Sequence, residues 1–168
     1  MTSSGPDSLA AGTAIFIDST VFIYHFTGKS EACTRLLERC ELGELKGSTS
    51  VTVLAEVSHR LMMVEAVSRG LVTPGNLVRK LREKPEVVAD LSLYQQQVDR
   101  IPLMGIEIAP VDLRVWLESA SYRRQHGLMT NDSVVAASAA SVGASRLASN
   151  DGDFEHVDGL DVFVPKND

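Results

Sequence analysis

Short apolar runs alternate along this chain with longer stretches of helical spacing, and no two runs are joined by the tight turn of a hairpin. Strands in that arrangement need long crossovers between them, and helices usually supply these. The order therefore specifies an α/β fold with a parallel sheet. The strand candidates are "AIFID" (14–18), "GSTS" (47–50), "GIEIAPVD" (105–112), "RLAS" (146–149) and "DVFVP" (161–165).

The helical stretches have start and stop signals. Ser30 is placed to cap a helix with small or apolar residues at 33, 36, 37 and 40 that ends near Gly43. A long helix follows with apolar positions at 53, 54, 57, 61 and 64, stopped by Gly70. Pro74 opens "PGNLVRKLREK" and Pro85 opens "PEVVADLSLYQQQVDRI", which predicts a helical hairpin from Pro74 to Ile101. Its second helix carries a stripe of Val87, Val88, Leu91, Tyr94, Val98 and Ile101 that faces either the rest of the domain or a partner. A further helix is expected from Asp112 to about Gln125. "MTNDSVVAASAASVGAS" reads as a helix capped by Asn131 or Asp132 and ended at Gly143. Its density of alanine and serine implies close packing against a flat surface, most simply a sheet.

With 168 residues, 44% of them hydrophobic and 23% charged, the chain has the size and composition of one globular domain. Residues 1–12, "MTSSGPDSLAAG", read as a flexible polar arm without signal-peptide character, and 13–168 as the single domain. No apolar run is long enough to span a bilayer. Cys33 and Cys40 stack two turns apart on one helix face, too far for a disulfide and without metal-site spacing, as half-buried thiols in a reducing cytosol. The four histidines fall singly, which disfavours zinc. Sixteen basic against 22 acidic residues leave a net charge of -6, which argues against a strongly electrostatic binder of double-stranded DNA. A nuclease remains compatible, because a carboxylate cluster is itself acidic and a local basic rim can hold phosphates.

In a parallel α/β sheet, functional groups gather beyond the carboxyl ends of the strands. Asp18 ends the first strand, Asp151 follows "RLAS", Asp132 opens the Ala/Ser helix, and Glu56 sits about one turn into the long helix after "GSTS". All four are thus expected at one sheet edge. Each has a structural alternative: a helix cap for Asp18 and Asp132, a turn for Asp151 beside Asp153, and an i,i+4 pair with Arg60 for Glu56. Clustered carboxylates repel unless protons or cations neutralise them. With no lysine in the four motifs, a divalent cation is the natural partner, and oxygen ligands select magnesium or manganese. Such a site suits phosphate-ester hydrolysis.

"FIDSTVFIY", "VTVLAEV", "TNDSVVAASAA" and "LASNDGDF" resemble, in order and spacing, the successive acidic motifs of PIN-domain ribonucleases, most closely the VapC-type toxins of toxin–antitoxin pairs. The resemblance implies a three-layer fold: a parallel sheet of about five strands, helices on both faces, and a projecting helical hairpin as insert. It implies that Asp18, Glu56, Asp132 and Asp151 are the acidic quartet around Mg2+ or Mn2+, with Asp153 as an auxiliary acid and Asn150 as a neighbour. Ser149 stands where the family commonly has threonine, so a hydroxyl is kept. The implied activity is cleavage of RNA at single-stranded or loop regions, in the cytoplasm. The implied partners are a small cognate antitoxin and a second copy of the chain, with contacts on the Pro74–Ile101 hairpin if its stripe is not packed internally. Arg35, Arg60, Arg123 and Arg124 are candidates for a basic rim.

Two other functions fit parts of this pattern. One is a phosphatase with an aspartyl nucleophile, for which "FIDST" has the first acid but Thr20 where the second is wanted. The other is a PIN-like binding module without catalysis, which the intact quartet argues against.

Overall fold

The protein, described as a computed structural model over residues 2–166, is built around one parallel sheet. In chain order the elements are β1 (Thr2–Ser4), β2 (Ala14–Ile17), α1 (Ser19–Phe26), α2 (Glu31–Glu41), β3 (Lys46–Ser50), α3 (Val51–Ser68), α4 (Leu77–Arg82), α5 (Pro85–Asp90), α6 (Leu93–Arg100), β4 (Glu107–Ala109), α7 (Leu113–His126), α8 (Thr130–Ser141), β5 (Arg146–Ala148) and β6 (Asp161–Pro165). The sheet order is β1-β6-β5-β2-β3-β4 and every pairing is parallel. All five strands expected from sequence are present. Successive residues of a strand point to opposite faces, and Ile15, Phe16 and Ile17 are all fully buried, so helices cover both faces of β2.

The sixth strand corrects one expectation. Residues 1–12 read as a flexible arm, yet Thr2–Ser4 pair with Phe163–Pro165 of β6 at the sheet edge. Arg39, buried on α2, donates to the Pro6 carbonyl at 2.6 Å and further ties this arm down. Met1 and residues 167 and 168 of the two expected spans lie outside the described residues.

Local signals account for most helix ends. Ser30 caps α2 by accepting from the Cys33 backbone N–H, and Asp112 caps α7 by accepting from Val115. The apolar positions of α2 are all buried, and Cys33 and Cys40 are fully buried rather than half-buried. Tight contact explains this at Cys40: a Cβ on Gly47 of β3 would stand 2.8 Å from its Sγ, and one on Gly105 would stand 2.7 Å from its carbonyl oxygen. In α8 every residue from Ser133 to Ala139 is buried, where the small side chains let it pack against β3, α3 and α7. Among the described residues no helix is long and apolar enough to cross a membrane.

The hairpin insert differs from its predicted form. The single helix expected over 85–101 is divided into α5 and α6 at Leu91 and Ser92, where Leu91 turns inward in an extended conformation. Glu65 of α3 stabilises the break. Only 4% exposed, it accepts the backbone N–H of Ser92 at 3.1 Å and of Tyr94 at 2.9 Å, and Arg69 pairs with it at 3.3 Å. Leu91 joins Ala66, Val72 and Leu81 in a small second core, while Val98 and Ile101 belong to the main one. The stripe on this segment thus packs within the molecule.

Burial works to raise the pKa of Glu65, but the N–H donors of Tyr94, Ser92 and Leu93 together with Arg69 outweigh it and hold the carboxyl below its usual range. A depressed folded pKa contributes stability that is present above the unfolded value of 4.5 and is lost as pH falls through the folded one. Glu65→Ala should therefore lose about 3 kcal/mol at pH 7 in denaturant titration, with the gap to the parent narrowing below pH 4, and Glu65→Gln should lose less. Parent-like stability of Glu65→Ala at pH 7 would contradict this role.

Candidate active site

Strand β2 lies where the sheet reverses its order: the chain moves outward through β3 and β4 on one side and returns through β5 and β6 on the other. In open α/β sheets the crevice beyond the carboxyl ends at such a switch point is where ligands bind. Asp18 stands at that point. Its backbone N–H still donates to Ala148 of β5, so the ladder delivers it directly from the strand. Across the switch, Ser149 continues β5 by donating its N–H to Phe163 of β6.

Asp18 occupies the N-cap position of α1, yet its side chain makes no cap bond. Instead the carboxylate, only 4% exposed, accepts from the Ser149 hydroxyl at 2.7 Å and from the Thr20 hydroxyl at 3.2 Å, both at Oδ2. Each of those hydroxyls also accepts a backbone N–H from the following loop: Asp151 donates to Ser149 Oγ at 3.0 Å, and Asn150 donates to Thr20 Oγ1 at 3.0 Å. Two hydroxyls therefore latch the loop that carries Asp151 onto the carboxylate of Asp18. Ser149 was legible as a family position. Thr20 was not, because a hydroxyl beside an acid looks like an ordinary helix start.

The turn reading of Asp151 is also realised. Its Oδ1 accepts the Asp153 N–H at 3.0 Å and opens the 3-10 turn Gly152–His156, which the buried Phe154 anchors. A carboxylate keeps acceptor capacity on its second oxygen, so this cap leaves Asp151 able to act outward. Asn150 donates from its carboxamide to Cys33 Sγ at 3.5 Å, which fixes the loop against α2.

Helix α8 corrects the capping expectation for Asn131 and Asp132. Met129 is the N-cap, so both residues lie in the first helical turn and the Asp132 carboxylate is not consumed as a cap. Glu56 lies in the second turn of α3 and is only partly exposed. It is hydrogen-bonded by Ser19, and Arg60 is too far for an ion pair although its charge still favours the ionised form.

The electrostatics link these groups. Burial raises the pKa of Asp18, against the hydroxyl and backbone bonds it accepts, and Asp151 adds to the rise. Burial and then the charge of Asp18 raise that of Glu56. Asp132 is pushed to about 6 by burial and by Asp151, Asp18, Asp153 and Glu56 in turn. Four carboxylates thus act on the fifth. Among the described residues none of the five is in an ion pair, and no three acidic, imidazole or thiol groups close tightly on one ion-sized point.

Of the rim candidates, Arg35 pairs with Asp7, and Arg123 is held by the hydroxyls of Ser119 and Ser133 and lies 5.5 Å over the Trp116 ring. Arg60 and Arg124 are exposed and in no ion pair among the described residues.

An acid whose folded pKa is raised costs stability on ionising, a cost absent below its unfolded value of 3.8 and complete above about pH 6. Asp132→Asn in a chelating buffer should therefore melt higher than the parent at pH 8, by about 2–4 °C once partial exposure is discounted to roughly 1 kcal/mol. The two should converge below pH 4. A lower melting temperature for the variant at pH 8 would show that the carboxylate has a stabilising partner.

The fold and its acidic edge agree with known proteins. The model for the PIN domain matches residues 15–160. Ribonuclease VapC2 of Methanocaldococcus jannaschii is 26% identical over 151 residues, which cover 89% of this chain and 92% of that protein. Among solved structures, VapBC2 from Rickettsia felis bound to a DNA fragment from their promoter superposes with a TM-score of 0.57 at 19% identity, covering 89% of this chain and 97% of that one. A toxin–antitoxin complex from Klebsiella pneumoniae also gives 0.57, at 21% identity over 92% of this chain and 98% of the other. VapC20 of Mycobacterium tuberculosis, a Sarcin-Ricin loop cleaving toxin, gives 0.53 at 14% identity, over 84% of this chain and 92% of that chain. With a family model spanning nearly the whole described chain and a fold shared with these structures, this protein belongs to the PIN domain family.

Proposed function

We propose that the protein is a metal-dependent endoribonuclease and the toxin of a toxin–antitoxin pair, acting on single-stranded or loop regions of RNA in the cytoplasm. The observation that carries this reading is the gathering of Asp18, Glu56, Asp132, Asp151 and Asp153 at the switch point of the sheet, where none is in an ion pair among the described residues and the Arg60 charge offsets the repulsion only at Glu56. A catalytic centre is where such destabilising charge is tolerated.

The donor chemistry suits Mg2+ or Mn2+: the five groups are all carboxylates in no ion pair among the described residues, and an ion would have to draw them together, since no three of them converge on one ion-sized point. Asp18, Glu56, Asp132 and Asp151 would hold the ion, with Asp153 as an auxiliary. Bound there, the ion would neutralise charge on the scissile phosphodiester and lower the pKa of a water. The chain's own groups do the positioning. Ser149 and Thr20 fix Oδ2 of Asp18, and the same two hydroxyls keep the Asp151 loop in register with it. Without a cation, Asp132 carries a proton through mildly acidic pH, so charge at the site depends on ion occupancy. Arg60, whose charge reaches Glu56, and Arg124 are exposed, in no ion pair among the described residues, and are the candidates to hold RNA phosphates.

The VapC relative and the toxin–antitoxin complexes sharing this fold support a small antitoxin as partner, and a second copy of the chain is the expected assembly. Purified protein freed of partner and incubated with total bacterial RNA should give discrete cuts in Mg2+ or Mn2+ and none in chelator. Asp18→Asn or Asp132→Asn should lower the rate by about 100-fold or more while the fold is kept. Equal cutting in chelator, or by the variants, would remove the acidic cluster from the reaction.

A further inference from the structure

A cleft of about 330 Å3 opens between α3 and α8, lined by Thr52, Ala55, Glu56, His59, Asn131 and Val135. Its walls follow from helical spacing. Thr52, Glu56 and His59 fall on one face of α3, and Asn131 and Val135 lie four apart on α8. Glu56 belongs both to this cleft and to the carboxylate cluster, and Asn131 directly precedes Asp132, so the cleft begins where the cluster ends. Ala55 and Val135 give it apolar walls. The Thr52 hydroxyl is engaged with Ser50 at 2.9 Å. The carboxamide of Asn131 and the ring of His59 are exposed and have no hydrogen-bond partner among the described residues.

We propose that this cleft is a base-recognition subsite that takes one unpaired nucleobase next to the scissile phosphate, an inference that rests on the nuclease reading above. The lining selects the ligand class. An anionic ligand is excluded, since the one charged group in the cleft is Glu56 and further carboxylates stand beside it. A neutral planar group fits: a carboxamide offers a donor and an acceptor side by side for a base edge, an imidazole offers a stacking face, and alanine and valine close the walls. The cleft is at the small end of ligand sites, which run from about 300 to 1,000 Å3, so it suits a single base and not a paired one. Sequence-specific recognition of RNA works on such splayed-out bases. Asn131 and His59 thereby become the residues that set which sequence is cut.

The test maps the cleaved ends on a randomised single-stranded RNA pool in Mg2+, for the parent, Asn131→Ala, His59→Ala and the double variant. The parent should show a strong base bias at one position flanking the cut, and the double variant should reduce that bias by about tenfold while cuts continue. A bias that is absent in the parent, or unchanged in the double variant, overturns the subsite. If the parent makes no cuts, the nuclease reading fails and the subsite is judged by binding instead. Fluorescence anisotropy would then compare short single-stranded RNAs that carry either a base or an abasic site at one position. The base should strengthen binding to the parent about tenfold and leave the double variant indifferent. Equal response in both proteins would overturn the subsite on its own.

Discussion

The structure turns on the placement of one buried carboxylate. Asp18 is delivered by a strand whose three preceding residues are fully buried, and it stops at the point where the sheet changes direction. A charge there has few ways to be satisfied. The molecule meets it with two hydroxyls, Ser149 and Thr20, which donate to the same oxygen and accept from the loop beyond β5. The loop that brings Asp151 near Asp18 is thus held by Asp18 itself. Stabilising one acid positions the second, and the repulsion this creates is what the proposed cation would relieve.

The surrounding architecture preserves that arrangement. The small residues of α8 let it lie close against its neighbours, which brings Asp132 toward the same edge, and the short α8 cap at Met129 leaves that carboxylate unused by its own helix. On α3 the roles divide along the length. Glu56 in its second turn faces the acidic edge, while Glu65 near its end is fully paired and organises the insert. One helix therefore carries a buried glutamate whose donors hold its pKa down and a partly buried one whose pKa burial and Asp18 push up. A raised pKa of that kind is what the proposed site would use.

Much of this was legible in the sequence because it rests on local patterns. Five strands, the capping by Ser30, a helix beginning at Asp112, and the order of four acids along the chain follow from periodicity and punctuation. The placement of those acids at one edge followed from the rule that parallel strands share a direction. What was missed depends on contacts distant in sequence. Nothing local to Glu65 marks it as buried; the chain some 27 residues later turns its N–H groups onto it. The same contact divides a helix that periodicity alone predicts as continuous. Thr2–Ser4 have no strand signal of their own and are recruited by the open edge of β6. The fate of the arginines was likewise hidden, since Asp7, which pairs Arg35, lies 28 residues away.

The central claim is that the repulsion at the switch point is relieved by a divalent cation bound to the cluster. The most direct measurement is thermal melting at pH 8 across a titration of Mg2+ or Mn2+, with the parent beside Glu56→Gln. Binding to the folded state alone stabilises by about 2.7 kcal/mol at one hundred times the dissociation constant, so the parent should gain about 5–10 °C in a saturating manner. The variant should gain much less over the same range. A parent that does not respond, or an equal rise in both proteins, would contradict the account.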